Sequence, residues 1–370
     1  MTGRQKILGQ LDRLLLRDLL RLFAATLGGV VAIYLVIDFA DRAHGFTGPG
    51  WARAAAELYA NKAAVIGYQL APAALIIAAA LLVAQLSRRG ELTGLFALGV
   101  RPLRLALPLA AFAAALGALL FFGGEKVVVR ADARAEEITT SRFNKWGDWG
   151  SYHFTSSWLR GKEGRIFHLG PAREGGWEPV RVLEIAQPFR IARMIWADRI
   201  EPAGDGRWRL IHATERRYGL SGAAGGSIEE RHAAVLLEDF PETPAELKLR
   251  EGRPRQLPWG QLREQLRRRR LTGQRFREYE VTLAERAAQP VQIVPAALAA
   301  MGLSLRLQRP RKRMALSGAV ALGIGLSMAL WAVSVVAHSL AIAGVLSPWL
   351  AGCVPGMVSA LGAAAVFHRG

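Results

Sequence analysis

Apolar positions in this chain are gathered into blocks. They fill residues 19–40, 63–86 and 103–123, and again 281–305, 315–337 and 346–367. Each block approaches or exceeds the ~20 residues that a helix needs to cross the hydrocarbon core of a bilayer. Backbone N–H and C=O groups find no water there, so each block predicts a spanning helix rather than a strand. The first block is longer than the apolar region of a secretory signal and no small-residue cleavage site follows it, so it too is read as a span. The chain thus reads as three spans, a long polar insert and three spans.

Within the insert the pattern turns to short alternating segments. Residues 152–159, 164–170, 180–186, 189–201, 207–220 and 227–237 are rich in β-branched and aromatic side chains and are separated by turn residues such as Ala203-Gly204-Asp205-Gly206. Trp208 and Leu210 alternate with Arg207 and Arg209, which predicts a sheet with one apolar and one charged face, as a β-sandwich or an open jelly roll. Helical spacing returns at 257–280, where Trp259, Leu262 and Leu266 share a stripe and Gly273 offers a stop. The predicted fold class is therefore an α-helical membrane protein of six transmembrane helices with an all-β, jelly-roll-like domain inserted between helices three and four. Its parts are an N-terminal membrane part over 1–123, the β domain over 124–256, a helical connector over 257–280 and a C-terminal membrane part over 281–370.

Between spans two and three lies SRRGELTGLFALGVRPLRL, residues 87–105. On a helix over about 88–101, Leu92, Leu95, Phe96 and Gly99 share one stripe, with Arg88, Glu91 and Arg101 at its ends and Pro102 stopping it. Alone, such a helix is an interfacial turn resting on the membrane.

The formal charge of +18 first suggests nucleic acid, but its distribution argues otherwise. Arg4, Lys6, Arg13, Arg17 and Arg21 precede or open span one; Arg88, Arg89, Arg101 and Arg104 lie between spans two and three; Arg306, Arg309, Arg311, Lys312 and Arg313 lie between spans four and five. Basic residues on alternate connections mark the cytoplasmic side, so both termini are expected in the cytoplasm and the insert across the membrane. Arg267, Arg268, Arg269 and Arg270 have two readings, a solvated helix face or a cluster facing anionic headgroups or cargo.

Catalytic signatures are missing. The seven histidines are scattered, without zinc-ligand spacing; there is no Gly-x-Ser-x-Gly elbow and no phosphate-binding Gly-x-x-x-x-Gly-Lys-Ser/Thr loop. The single cysteine, Cys353, falls in span six and has no partner in the chain. Asp38 is near the outer end of span one and the other span interiors are read as nearly free of charge, which argues against an ion-coupled carrier. Gly352 and Gly356 in span six, and Gly318, Gly323 and Gly325 in span five, suit close helix packing.

Taken together, Glu91, Leu92 and Gly99 in the 87–105 segment, Leu11-Asp12-Arg13 before span one, and the stretches 156–170, 205–210 and 262–295 resemble, in order, segments of the LptF/LptG lipopolysaccharide-export permeases, the YjgP/YjgQ family. The resemblance is closer to the LptG type. It implies an inner-membrane permease that extracts lipopolysaccharide and passes it to a periplasmic bridge. Implied partners are a homologous LptF-like permease, a dimeric cytoplasmic LptB-like ATPase and a β-jelly-roll bridge protein of LptC/LptA type. No cofactor is expected in this chain; ATP and Mg would be used by the ATPase subunit, which would grip Arg88, Glu91, Leu92, Leu95, Phe96 and Gly99.

For the lipid, the candidates are Asp38 and Arg42, the arginines at 267–270, and, for a β-domain interior that shelters acyl chains, Trp158, Phe167, Ile195, Trp196 and Trp208. The resemblance carries one departure: Asp38 stands where the LptG type can carry a basic residue, with Arg42 a turn further on. A lipoprotein or peptide ABC exporter, and a non-transport membrane protein with a β ectodomain, are the alternatives.

Overall fold

A computed structural model describes residues 2–143, 157–173, 175–187, 190–204, 207–219, 228–247, 254–271, 275–308 and 315–368. The chain forms two compact units, one of residues 1–147, 255–259 and 277–370, the other of 148–254 and 260–276.

The first unit is helical. It holds α1 (Thr2–Arg42), α2 (Trp51–Arg88), the short α3 (Glu91–Ala97), α4 (Pro102–Gly123), α5 (Val129–Ile138), α8 (Arg277–Leu307), α9 (Leu316–Ala343) and α10 (Pro348–His368). Gly124–Val128 forms a π-helical turn that joins α4 to α5. Six stretches are long and apolar enough to cross a membrane: Gly9–Gly45, Trp51–Arg88, Pro102–Ile138, Arg277–Leu307, Leu316–Ala343 and Pro348–His368. They coincide with the six blocks expected from the sequence to within two residues at the starts of the last two, and several extend beyond them.

Helix α2 is the axis of this unit. Leu75, Ala78, Ala79, Ala80, Val83 and Ala84 are fully buried in it, with α1 and α9 among its neighbours. The small residues have a steric purpose. A methyl group on Gly323 of α9 would stand 2.7 Å from the Ile77 backbone of α2, and one on Gly352 of α10 would stand 3.0 Å from the Ala284 carbonyl of α8. Backbones this close gain dispersion contact along the whole seam. Gly325, grouped with them on sequence grounds, faces open space.

The second unit is built on one nine-stranded antiparallel sheet: β1 (Ser157–Arg160), β2 (Arg165–Leu169), β3 (Ala172–Arg173), β4 (Gly176–Trp177), β5 (Val180–Ala186), β6 (Arg190–Ala197), β7 (Arg199–Pro202), β8 (Trp208–Tyr218) and β9 (Ile228–Glu238). The order is β1-β2-β5-β6-β8-β7-β4-β3, with β9 on the other edge of β8. Strand β8 changes partner midway. Residues 208–211 pair with β7, and 214–217 pair with β6. Between them His212 takes a left-handed backbone (φ 52°) that is uncommon outside glycine, and its imidazole lies 3.0 Å from Asp198, the one residue separating β6 from β7. The register runs on unbroken through this kink; the sheet's register shift lies between Glu184 and Ile185, where β5 pairs with β6, a bulge that adds bend and twist.

The inner face is the apolar one. Phe167, Val182, Ile195, Ile200, Trp208 and Leu210 are all buried to 1% exposure or less, and each large side chain so buried contributes about 1.5–3 kcal/mol. The Trp208 indole N–H also donates to the Glu242 carbonyl (2.9 Å). The short α6 (Pro244–Leu247) adds Leu247 to this core.

The helical stretch expected over 257–280 is two elements. Helix α7 (Trp259–Leu271) buries Leu262 and Leu266 as the stripe requires, and α8 starts afresh at Arg277. Gly273, the expected stop, lies outside the described residues, as do 152–156 of the first expected strand.

Candidate functional site

The segment 87–105 forms α3 as a rigid loop-helix. Gly90 precedes it and Gly99 follows it, both with left-handed backbones (φ 76° and 77°) that only glycine adopts without strain. At the C-terminal end the Gly99 N–H donates to the Phe96 carbonyl (2.9 Å) and the Val100 N–H to the Leu95 carbonyl (3.0 Å), the paired bonds of a Schellman cap. Arg101 is extended, as the residue before Pro102 must be, and α4 begins at once. Leu92 is buried and Leu95 partly so, both against the core of the membrane unit.

Phe96 and Leu98 point the other way, 40% and 82% exposed. The stripe expected to be shared by Leu92, Leu95 and Phe96 is therefore divided: two leucines anchor the helix and Phe96 is left outside. Glu91 is exposed at the first turn, 3.8 Å from Arg89, which also pairs with Asp18 of α1 (3.4 Å). Arg104 pairs with Asp12 (2.7 Å), so both flanks of α3 are tied to α1. Arg88 ends α2, exposed.

A second cluster lies where α1 ends. Asp38 accepts hydrogen bonds from Arg42 (3.2 Å), Tyr59 (2.8 Å) and Lys62 (2.5 Å). The Asp38 carboxylate is thus largely enclosed, whereas the Arg42 side chain remains 52% exposed. With two cations on one carboxylate, the cluster carries a formal surplus of positive charge. Sequence reasoning found Asp38 and Arg42 but missed Lys62 and Tyr59, which come from α2, more than 20 positions away. The only available signal was a lysine directly before an apolar block.

In the β domain the five aromatic and aliphatic candidates separate by face. Phe167, Ile195 and Trp208 are in the core. Trp158 is 55% exposed and stacks on His168 (centroids 4.4 Å apart), and Trp196 lies under the Arg216 guanidinium (5.2 Å). Registry explains this. Leu159, Phe167, Val182 and Ile195 stand opposite one another, and so do their neighbours Trp158, His168, Arg181 and Trp196, one residue away and therefore on the other face.

The inner face also carries charge. Arg193 bonds Glu215 (2.6 Å) and Glu238, and approaches Glu184 (3.7 Å); Arg217 adds a second bond to Glu215 (2.6 Å). Burial alone would raise the Glu215 carboxyl, but the hydrogen bonds from Arg217 and Arg193 outweigh it and hold it below the usual carboxylate range.

On α7, Arg267 and Arg270 are exposed, Arg268 pairs with Glu264 (2.5 Å), Arg269 donates to the Arg275 carbonyl (3.3 Å), and Arg270 stacks over Phe276 (5.4 Å). The span interiors carry more charge than expected. Helix α8 brings Glu285 to His338 of α9 (2.7 Å), and Arg286 to Glu125 (3.3 Å) and to the Leu257 carbonyl (2.7 Å). Among the described residues no group of three or more histidine, cysteine or acidic side chains forms a metal site.

Six apolar helices with a small-residue core, and a curled β domain inserted between the third and fourth, define a polytopic helical membrane protein with an inserted β domain. A family model described as "Lipopolysaccharide export system permease LptF/LptG" matches residues 13–369, and the chain belongs to that family. No curated protein matches it. The chain is accordingly a lipopolysaccharide export permease, a multi-pass inner-membrane protein and a non-catalytic subunit of the Lpt complex.

Proposed function

We propose that this chain is one of two homologous permeases in an ABC exporter, and that a dimeric cytoplasmic ATPase drives it through α3. Both termini lie in the cytoplasm and the β domain in the periplasm, where it hands lipid to a β-jelly-roll bridge protein. The basic residues on alternate connections support this orientation. Leu11-Asp12-Arg13 and Trp158-Leu159-Arg160-Gly161 support the LptG-type role.

One observation carries the reading. Helix α3 is anchored by Leu92, clamped by two glycine turns and tied to α1 on both flanks, yet presents Glu91, Phe96 and Leu98 outward. A rigid element with an exposed apolar tip and an acidic corner transmits a push instead of absorbing it. ATP and Mg belong to the ATPase subunit.

Lipid phosphate is met by Arg42 and Lys62 around Asp38, and by the arginines at 267–270. Acyl chains meet the face of the β sheet that bears Phe167, Ile195 and Trp208. Replacing Phe96 by Ala removes the exposed contact and leaves the Leu92 anchor in place. In a complex reconstituted with the ATPase and the second permease, F96A is expected to assemble the two permeases normally but to lower coupled ATPase activity about tenfold, roughly 1.4 kcal/mol of contact. Unchanged ATPase activity would remove α3 from this role.

A further inference from the structure

Four of the spanning helices, α2, α8, α9 and α10, surround a cavity of about 670 Å³, within the range of a small-molecule site. Its lining is ordered by depth. Helix α8 begins at Arg277 and places Glu285 two turns in; α9 runs the opposite way and places His338 five residues before its end at Ala343. The hydrogen-bonded pair Glu285–His338 therefore marks one end of the bundle, with Gln289 one turn deeper. Beyond it the lining becomes Ile293 and Ala296 on α8 and Met328 and Trp331 on α9. Eleven residues of helix separate Glu285 from Ala296, about 16 Å, roughly half the hydrocarbon thickness of a bilayer.

The polar end keeps unused hydrogen-bonding capacity. His338 occupies Glu285 Oε1, and no partner meets Oε2 among the described residues. Gln289 accepts from the Tyr68 hydroxyl at its carbonyl oxygen (2.9 Å), which leaves its amide N–H donors for a ligand. Arg255 also lines the cavity. Deeper down, the Ser327 and Ser334 hydroxyls are turned back onto their own helix, donating to the Gly323 and Leu330 carbonyls, and the Gln292 amide donates to the Gly352 carbonyl, so the polar donors of the wall are engaged within the bundle. An ionisable residue within a span is retained where it has a function and a partner.

We infer that this cavity is a resident-lipid site for one amine-bearing zwitterionic phospholipid. Its ammonium completes the coordination of Glu285, its phosphate takes the donors of Gln289 and Arg255, and one acyl chain lies against Ile293, Met328 and Trp331. The head and tail ends of the cavity match a lipid standing in a single leaflet, and the unpaired carboxylate oxygen selects a cationic N–H head over an anionic one. The site lies within this one chain and does not depend on which subunit supplies ATP hydrolysis.

The test uses the full-length chain, purified in detergent and equilibrated with equal amounts of phosphatidylethanolamine, phosphatidylglycerol and phosphatidylcholine, with retained lipid read by native mass spectrometry. Phosphatidylethanolamine is expected to be retained at least fivefold over phosphatidylglycerol. Glu285→Gln, which keeps a hydrogen-bonding group beside His338 and loses the charge, should reduce that preference below twofold. Ser327→Phe, which fills the tail end, should lower phosphatidylethanolamine retention without touching the head contacts, and so checks the site independently should E285Q fold poorly. Equal retention of the three lipids, preference for the anionic lipid, no retained lipid, or an undiminished preference in a folded E285Q each overturns the proposal.

Discussion

The two units bury charge in different ways. In the β domain, Arg193, Arg217 and Arg165 close on Glu215, Glu238 and Glu184, three cations on three carboxylates, so the cluster is neutralised from within. At the end of α1, a single Asp38 holds both Arg42 and Lys62 and leaves a positive surplus. A closed cluster has little left to offer a ligand and acts on the fold; an open one has unspent charge and acts on whatever approaches it.

The sharpest way to break this contrast is Arg193→Met. The Arg193 side chain is only 15% exposed, and its loss strands Glu238 and half-strands Glu215 in the sheet interior. Removing one partner of such a cluster costs about 3–5 kcal/mol. Thermal unfolding of the β domain, followed in the full chain by protease resistance, should shift down accordingly. Removing the buried part of the cluster, as Arg193→Met with Glu215→Leu and Glu238→Leu, should recover most of the loss, because no buried ion is left unpaired: Arg217 is exposed to solvent and Glu184 keeps Arg165 (3.1 Å). If the triple variant is as unstable as the single one, the cluster is not self-contained.

At the open cluster the expected balance reverses. Lys62→Met leaves Asp38 its bonds to Arg42 and Tyr59, so the carboxylate is not stranded and the loss of thermal stability should stay at about 1 kcal/mol, well below that at Arg193. Retention of a phosphate-bearing lipid should fall about tenfold, some 1.4 kcal/mol, read by co-purification. Lost stability with unaltered lipid retention would place this cluster with the closed kind.

How much of this was visible in the sequence follows from the distance over which each feature is decided. The spans were legible because about 20 apolar residues suffice to specify a membrane helix without reference to anything else. Helix α3 was legible because Pro102 and Gly99 act on their immediate neighbours. The strands were legible as segments, but placing both Ile195 and Trp196 in the interior conflicts with a side-chain period of two. Registry settles the matter in favour of Ile195, through its pairing with Val182. Composition alone made Trp158 and Trp196 look like core. Lys62, Tyr59 and the Glu285–His338 pair were illegible for another reason. Each bond joins residues 21 to 53 positions apart on different helices, a separation over which local pattern carries no information.

The finest test of the contrast is its response to acid. Glu215 has its folded-state pKa below the unfolded value, so its contribution to stability is fully present above the ordinary carboxylate range, near 4.5, and is lost as pH falls through the lower folded-state value. The groups facing it, Arg193 and Arg217, stay charged throughout, and Glu184 and Glu238 are the acidic neighbours that share Arg193. Unfolding of the β domain measured at descending pH should therefore show stability falling below the ordinary carboxylate range. In Glu215→Gln the domain should start less stable and lose less over the same interval, since the titrating group is gone. The open cluster at Asp38 predicts no matching step in β-domain unfolding, because it belongs to the other unit. A Glu215→Gln variant with an unaltered acid profile would mean that Glu184 or Glu238, not Glu215, governs how the closed cluster opens.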